Sequence, residues 1–236
     1  DIAKLANGSE GSVVVTSDFI KDVEVALVGL HVVGVLKDHP EFAWASFEHD
    51  GNAPNLAVGG NPTGSEAVSQ NSFAFYAANT PANECNDQGQ SSPPKVIIDE
   101  ATQICTPITN AFRQFEYGDA APDRQADIES ANMNFRAGLI SHAPGNSMLN
   151  PVFANYFLVG TVWQDPAVTP LKPGDGNLDA TAVGSTSLMN ATLETYVQGK
   201  GKNCFMCHTT AGNTGAGYPG KNINLSHILL GPFFGG

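Results

Sequence analysis

The sequence contains little positive charge. Lys and Arg together number 11, against 23 Asp and Glu, so the formal net charge is −12 at pH 7. A surface of this sign repels nucleic acid phosphates and anionic lipid headgroups, so neither is an expected partner. It would attract a basic docking patch on a partner protein, although acidity alone also keeps an exported protein soluble.

Long apolar runs are missing as well. No segment reaches the roughly 18 consecutive apolar residues that a membrane-spanning helix needs, so we expect no transmembrane segment. The chain opens with Asp1-Ile2-Ala3-Lys4, which is not the start of an export signal. Only 14% of the residues are charged, while Gly (25) and Pro (15) are frequent, which indicates a globular protein with many turns.

Cysteine is scarce, with four residues, but two of them form a specific pattern. Residues 204–208 read CFMCH, and two cysteines separated by two residues and followed by histidine form the attachment pattern of c-type haem. Each thiol adds to one haem vinyl group, and one turn of helix presents both sulfurs at the separation of the vinyls. His208 would then bind iron as the proximal ligand, and Asn203 would cap the turn. The pattern therefore predicts one covalent haem c on Cys204 and Cys207.

Two other interpretations of the cysteine pair were weighed. A structural zinc site would need two more ligands, and the sequence has no second Cys-x-x-Cys and no closely spaced histidine pair. A thioredoxin-like redox motif belongs early in a chain, at the start of a helix after a strand, whereas this pair lies beyond residue 200. Both stay open as alternatives, and haem is favoured.

Covalent haem attachment takes place on the far side of an energy-transducing membrane. We therefore expect a periplasmic or extracellular protein whose export signal has been removed. In such an oxidising compartment the remaining cysteines, Cys85 and Cys105, are expected to form a disulfide, with two free thiols as the alternative. Closing a loop of that size would contribute about 3 kcal/mol in the chain-entropy model.

The hydrophobic pattern predicts an α+β protein. Runs typical of β-strands lie at 12–36, 41–49, 95–99 and 156–163. The clearest helix runs over 122–140 with Ile128, Ala131, Phe135 and Leu139 as its apolar stripe, and a second helix over 191–198 would follow a cap at Asn190. Residues 50–65 are predicted loop, and 66–79 a short helix or strand.

The domain organisation follows from these elements. We expect a β-rich body over 1–185 with one long helix near 122–140. Residues 186–236 would form the C-terminal attachment segment, with a helical turn that bears the haem, packed on the body as one compact domain. Residues 175–179 read DGNLD, and the alternating oxygen side chains of Asp175, Asn177 and Asp179 resemble the start of a calcium loop. No glutamate stands at the bidentate position, so a turn is the favoured interpretation.

The predicted strand at 41–49 has two different faces, because strand side chains alternate. One face carries Phe42, Trp44, Ser46 and Glu48. The other carries Ala43, Ala45, Phe47 and His49. Two small alanines make the second face one that a flat macrocycle could approach, which draws attention to His49.

The position of the motif separates known haem families. All four methionines precede His208 or lie inside the motif, which excludes class I cytochromes, whose methionine ligand follows the motif. A C-terminal motif resembles the class II, cytochrome c′-like bundles, but those are shorter and lack strands. A single motif excludes double-headed cytochrome peroxidases.

Three segments, 39–49, 190–196 and 203–208, together resemble a family of exported bacterial monohaem cytochrome c-like proteins. The resemblance implies export and one haem and supplies no reaction.

Electron transfer through six-coordinate iron is therefore the expected function, with a redox protein as partner and the oligomeric state left open. The alternatives are a haem enzyme or small-ligand binder with an open distal site, such as a peroxidase or oxygenase, and a structural subunit of an extracellular redox assembly. No catalytic acid, base or arginine stands out near the motif. Because no methionine follows it, the distal ligand is expected to be His49, then His227, then His142.

Overall fold

The computed structural model describes residues 2–8, 13–20, 25–37, 39–86, 97–106, 110–141, 151–168, 172, 179–209 and 225–226. Within these residues there are ten strands and one α-helix, so the chain is an α+β protein dominated by β-structure. The strands are β1 (Ile2–Asn7), β2 (Val13–Ile20), β3 (Gly29–Leu36), β4 (His39–His49), β5 (Ile97–Asp99), β6 (Ile104–Thr106), β7 (Tyr156–Gln164), β8 (Ala182–Gly184), β9 (His208–Thr209) and β10 (Leu225–Ser226). The helix is α1 (Pro122–Ser141), and it is not long and apolar enough to cross a membrane.

A four-stranded antiparallel sheet in the order β3-β4-β7-β8 forms the centre of the fold. In its first hairpin Val33 pairs with Trp44 and His31 pairs with Ser46. Trp44 in turn pairs with Val162 on β7. The predicted strands at 41–49 and 156–163 are confirmed, since β-branched and aromatic side chains suit a pleated, partly buried sheet.

The predicted strand over 12–36 is instead two strands in different sheets. β2 pairs with β1 in one hairpin, while β3 belongs to the central sheet. A separate pair, β5 with β6, is joined to the β1–β2 hairpin through Asn7. The Asn7 side chain donates to the Ile98 carbonyl at 2.8 Å and accepts from the Ile98 amide at 2.8 Å. The predicted strand at 95–99 is therefore present as β5.

The helix α1 packs along β7 of the central sheet. Asn132 holds it there, because its amide side chain bonds to both the carbonyl and the amide of Leu158, at 2.9 and 2.6 Å. The rings of Phe135 and Phe47 lie 6.5 Å apart. Of the predicted apolar stripe, Ile128 is buried, whereas Ala131 is exposed. The face with Phe47 that we expected to accept a macrocycle is thus the face that packs against the helix.

The opposite face of the sheet carries the main apolar cluster. Its buried members come from β4, β7 and the C-terminal segment: Trp44, Val159, Val162, Leu188, Cys204 and Phe205. The segment that bears the cysteine pair therefore packs on the face of the sheet that carries Trp44.

Residues 50–86 form loops and turns, with neither a regular strand nor an α-helix at 66–79. Tyr76, Ala82, Cys85 and Phe112 form a second buried cluster there. Cys85 is a free thiol that donates to the Pro81 carbonyl at 3.3 Å, so the predicted disulfide is not made in this structure. Burial and the neighbouring Glu84 raise the pKa of Cys85 to about 11. The side chain of Cys105 lies outside the described residues.

A buried ion pair connects the sheet to two loops. Glu48 and Arg113 are both almost fully buried and form a salt bridge, with Arg113 Nε 3.1 Å from Glu48 Oε2. The other carboxylate oxygen of Glu48 accepts from the amide of Ala191 at 2.7 Å. The Arg113 guanidinium also lies 4.6 Å from the centre of the Phe157 ring. Glu48 thus fixes the C-terminal segment to the sheet.

Replacing Arg113 with Met should lower the free energy of unfolding by about 3–5 kcal/mol, because the Glu48 charge would remain buried without its partner. The control is Asp50→Asn, which breaks the more exposed Arg136–Asp50 pair of 2.7 Å and should cost at most about 1 kcal/mol. Urea unfolding followed by circular dichroism measures both. Equal losses in the two variants would contradict the structural role of the buried pair.

Candidate cofactor-attachment site

The cysteine pair lies on one short, capped turn. Cys204–Met206 is a single 3₁₀ turn rather than the α-helical turn expected from the sequence. The Asn203 side chain accepts from the Phe205 amide at 3.0 Å, so the predicted cap is confirmed. The Cys207 amide donates to the Cys204 carbonyl at 3.2 Å, which places both cysteines on the same turn.

Asn203 also anchors that turn to the body. It is fully buried, and its Nδ2 donates to the carbonyls of Thr186 at 3.2 Å and Gly201 at 3.1 Å. Gly201 has a φ of 73°, a conformation that favours glycine, and its amide donates to Ser187 Oγ at 2.9 Å. Residues 201–203, which lead into the motif, are therefore held to residues 186–187 by hydrogen bonds.

The segment before the motif is less helical than expected. Asn190 does act as a cap, since its Oδ1 accepts from the Leu193 amide at 3.0 Å and Glu194 accepts from the Asn190 amide at 2.7 Å. Only one turn follows, and then a 3₁₀ turn at Thr195–Val197. The predicted helix over 191–198 is wrong, because β-branched residues favour helix weakly and the Ala191 amide is bound to Glu48.

The two thiols differ in exposure. Cys204 is 9% exposed and belongs to the apolar cluster, whereas Cys207 is half-buried. Burial, and then the charge of Glu194, raises the pKa of Cys204 to about 12. The same two causes raise the pKa of Cys207. Both thiols are therefore protonated at neutral pH in this conformation.

His208 packs on the sheet through Trp44. The two rings lie 4.2 Å apart at an angle of 43°, and Trp44 is itself buried in the apolar cluster. His208 also begins β9, in which it pairs with Ser226 of β10. The imidazole is thus fixed both by its backbone and by a large aromatic neighbour.

The structure does not bring His49 and His208 together. The ring of His49 lies 5.1 Å from that of Tyr156, and its Nδ1 accepts from the Gly51 amide at 3.0 Å. It lies on the opposite face of β4 from Trp44, five positions earlier, whose ring contacts that of His208. Ranking His49 as the first distal ligand is therefore not supported by the fold, because alternation along one strand separates the two imidazoles.

The other predicted ligands, His142 and His227, lie outside the described residues, as do Asp175 and the side chain of Asp179. His31 is not among these ranked ligands. It pairs with Ser46 and therefore lies on the motif face, the face of the sheet that carries Trp44 and packs against the cysteine segment.

These residues fit a covalently bound haem. One turn carries both sulfurs, an imidazole follows directly, an apolar cluster lies beside them, and buried polar atoms of Trp44 and Ser46 on this face have no hydrogen-bond partner within the described part of the chain. In the same part of the chain no group of three or more His, Cys, Asp or Glu could hold a metal ion by itself. A structural zinc at the cysteine pair therefore has no complete ligand set among the described residues.

Comparison with known proteins found no matching family model, no matching curated protein and no matching solved structure, so the functional argument depends on the site itself.

In the haem-free protein, alkylation at pH 8 should modify Cys207 faster than Cys204. A thiol with a pKa of about 12 is thiolate in roughly one molecule in 10,000 at that pH, and the rate should rise about tenfold per pH unit between 7 and 9. Asn203→Ala removes the cap and should accelerate labelling of Cys204. Peptide mapping by mass spectrometry measures each site. Equal labelling of the two cysteines would contradict the docked position of the turn.

Proposed function

We propose that this protein is a monohaem c-type cytochrome that transfers electrons in the periplasm or outside the cell. Cys204 and Cys207 would bind one haem covalently, and His208 would bind its iron. The observation that carries the proposal is the Cys-x-x-Cys-His sequence on a capped turn packed against the central sheet. The haem would supply the one-electron chemistry, and the chain would set its position and surroundings.

The contact between Trp44 and His208 gives the chain control over the proximal ligand. A ring 4.2 Å away restricts rotation of the imidazole, and Trp44 is itself held in a cluster with Val162 and Phe205. His208 would hold the iron of a bound haem, and Trp44 would keep that imidazole in one orientation. The sheet therefore serves as the rigid support of the redox centre.

The local charges favour the oxidised state. Glu194 is close enough to raise the pKa of both thiols, and a negative charge at that position stabilises ferric over ferrous iron. The net charge of −12 acts in the same direction and favours a partner with a basic docking patch. We therefore expect a potential below that of cytochromes with His/Met ligation.

The first test is covalent attachment. After denaturing electrophoresis the protein band should stain for haem peroxidase activity, and acidified acetone should leave the haem on the chain. Replacing both Cys204 and Cys207 with Ala should abolish the stain. Cys85→Ala is the matched control and should keep it, because Cys85 lies in a separate cluster. A colourless band from the unmodified protein would overturn the proposal.

The second test is the state of the iron. The reduced protein should show sharp low-spin α and β bands that carbon monoxide hardly changes, because a second side chain fills the sixth position. Absorption spectra with and without carbon monoxide measure this. A high-spin protein that binds carbon monoxide readily would instead favour the alternative of a haem enzyme or small-ligand binder.

A further inference from the structure

Several buried polar atoms on the motif face have no hydrogen-bond partner among the described residues. They are His31 Nδ1, Trp44 Nε1, Ser46 Oγ and Asn190 Nδ2. A buried polar group without a hydrogen-bond partner is destabilising, so a concentration of such groups on one surface needs an explanation. One of them belongs to Trp44, whose ring contacts that of His208 directly after the cysteine turn.

The strand register places His31 close to the motif. His31 pairs with Ser46, and Val33 pairs with Trp44. Directly paired side chains of antiparallel strands share a face with their Cβ atoms about 5 Å apart, and diagonal neighbours are about 7–8 Å apart. His31 is thus a diagonal neighbour of Trp44, whose ring contacts that of His208 at 4.2 Å. The imidazoles of His31 and His208 therefore share one face of the sheet.

The ring of His31 also has the chemistry of a ligand. Neither of its nitrogens makes a hydrogen bond within the described residues, and Nδ1 is the buried one. A histidine that binds metal through one nitrogen normally donates the N–H of the other to a neighbouring acceptor. Ser46, fully buried and unpaired in the register position opposite, offers that acceptor.

We propose that His31 is the second axial ligand of the haem iron, binding through Nε2 and donating its Nδ1–H to Ser46 Oγ. This inference rests on the proposed function. It accounts for a histidine in the middle of a strand and for the unpaired Ser46 hydroxyl. Because β3 is an edge strand of the central sheet, a cofactor can reach His31 without separating paired strands.

The test compares His31→Ala with His49→Ala in the haem-loaded protein. The first variant should become high-spin and bind carbon monoxide, and added imidazole should restore the low-spin spectrum. His49→Ala is the matched control, since it removes an imidazole from the other face of the same sheet, and it should stay low-spin. Ferric electron paramagnetic resonance and visible spectra measure both. A His31→Ala protein that remains low-spin and inert to carbon monoxide would overturn the inference.

Two further variants keep the result decisive. His31→Met preserves volume and should raise the midpoint potential, because a thioether stabilises ferrous iron better than imidazole does. Ser46→Ala should stay six-coordinate and also shift the potential upwards, because the ligand becomes less basic without its acceptor. A His31→Met spectrum and potential identical to those of the unmodified protein would exclude ligation even if His31→Ala fails to fold. Haem staining of every variant separates loss of the ligand from failure of covalent attachment.

Discussion

The fold depends on one buried carboxylate. Glu48 sits at the end of β4 without exposure to solvent, and its two oxygens bind different parts of the chain: one the Arg113 guanidinium and the other the Ala191 amide. A buried charge is costly unless all of its partners are present, so this group tolerates only the arrangement in which both loops are docked. The chain from Ala191 to the cysteine pair is short, and the position of Glu48 therefore determines where the attachment turn meets the sheet.

Side chains alternate between the two faces of β4, so the two faces have different neighbours. Residues of β4 on one face pack against α1, as Phe47 does against Phe135. Residues on the other face meet the C-terminal segment, as Trp44 does with His208. Because the period is two, a shift of one residue in register would exchange the two sets and move the set that includes His49 to the face where Trp44 now lies. The two hydrogen bonds between Asn132 and Leu158 hold the helix to β7.

Much of this arrangement could be predicted from local sequence. The strands β4 and β7, the helix α1 and the caps at Asn190 and Asn203 all follow from residues close together in the chain. The face that receives the motif could not be predicted in this way. Both faces of β4 are apolar enough to be covered, and the choice between them depends on contacts made across more than 100 positions, such as that between Glu48 and Ala191.

If the protein carries a haem with two histidine ligands, the size of the body has a physical explanation. Such a haem would need two imidazoles at fixed positions, and one of them would come with the attachment motif. If the other is His31, the two ligands lie at opposite ends of the sequence, and local structure near the motif cannot position the second. The central sheet can, because β3 and β4 carry His31 and Trp44 at diagonal positions of one face, and Trp44 contacts His208. Precise placement of ligands is better supported on paired strands than on loops, since each side chain is fixed by its neighbours. On this argument the large β-structured body is the means by which distant residues become a rigid coordination site.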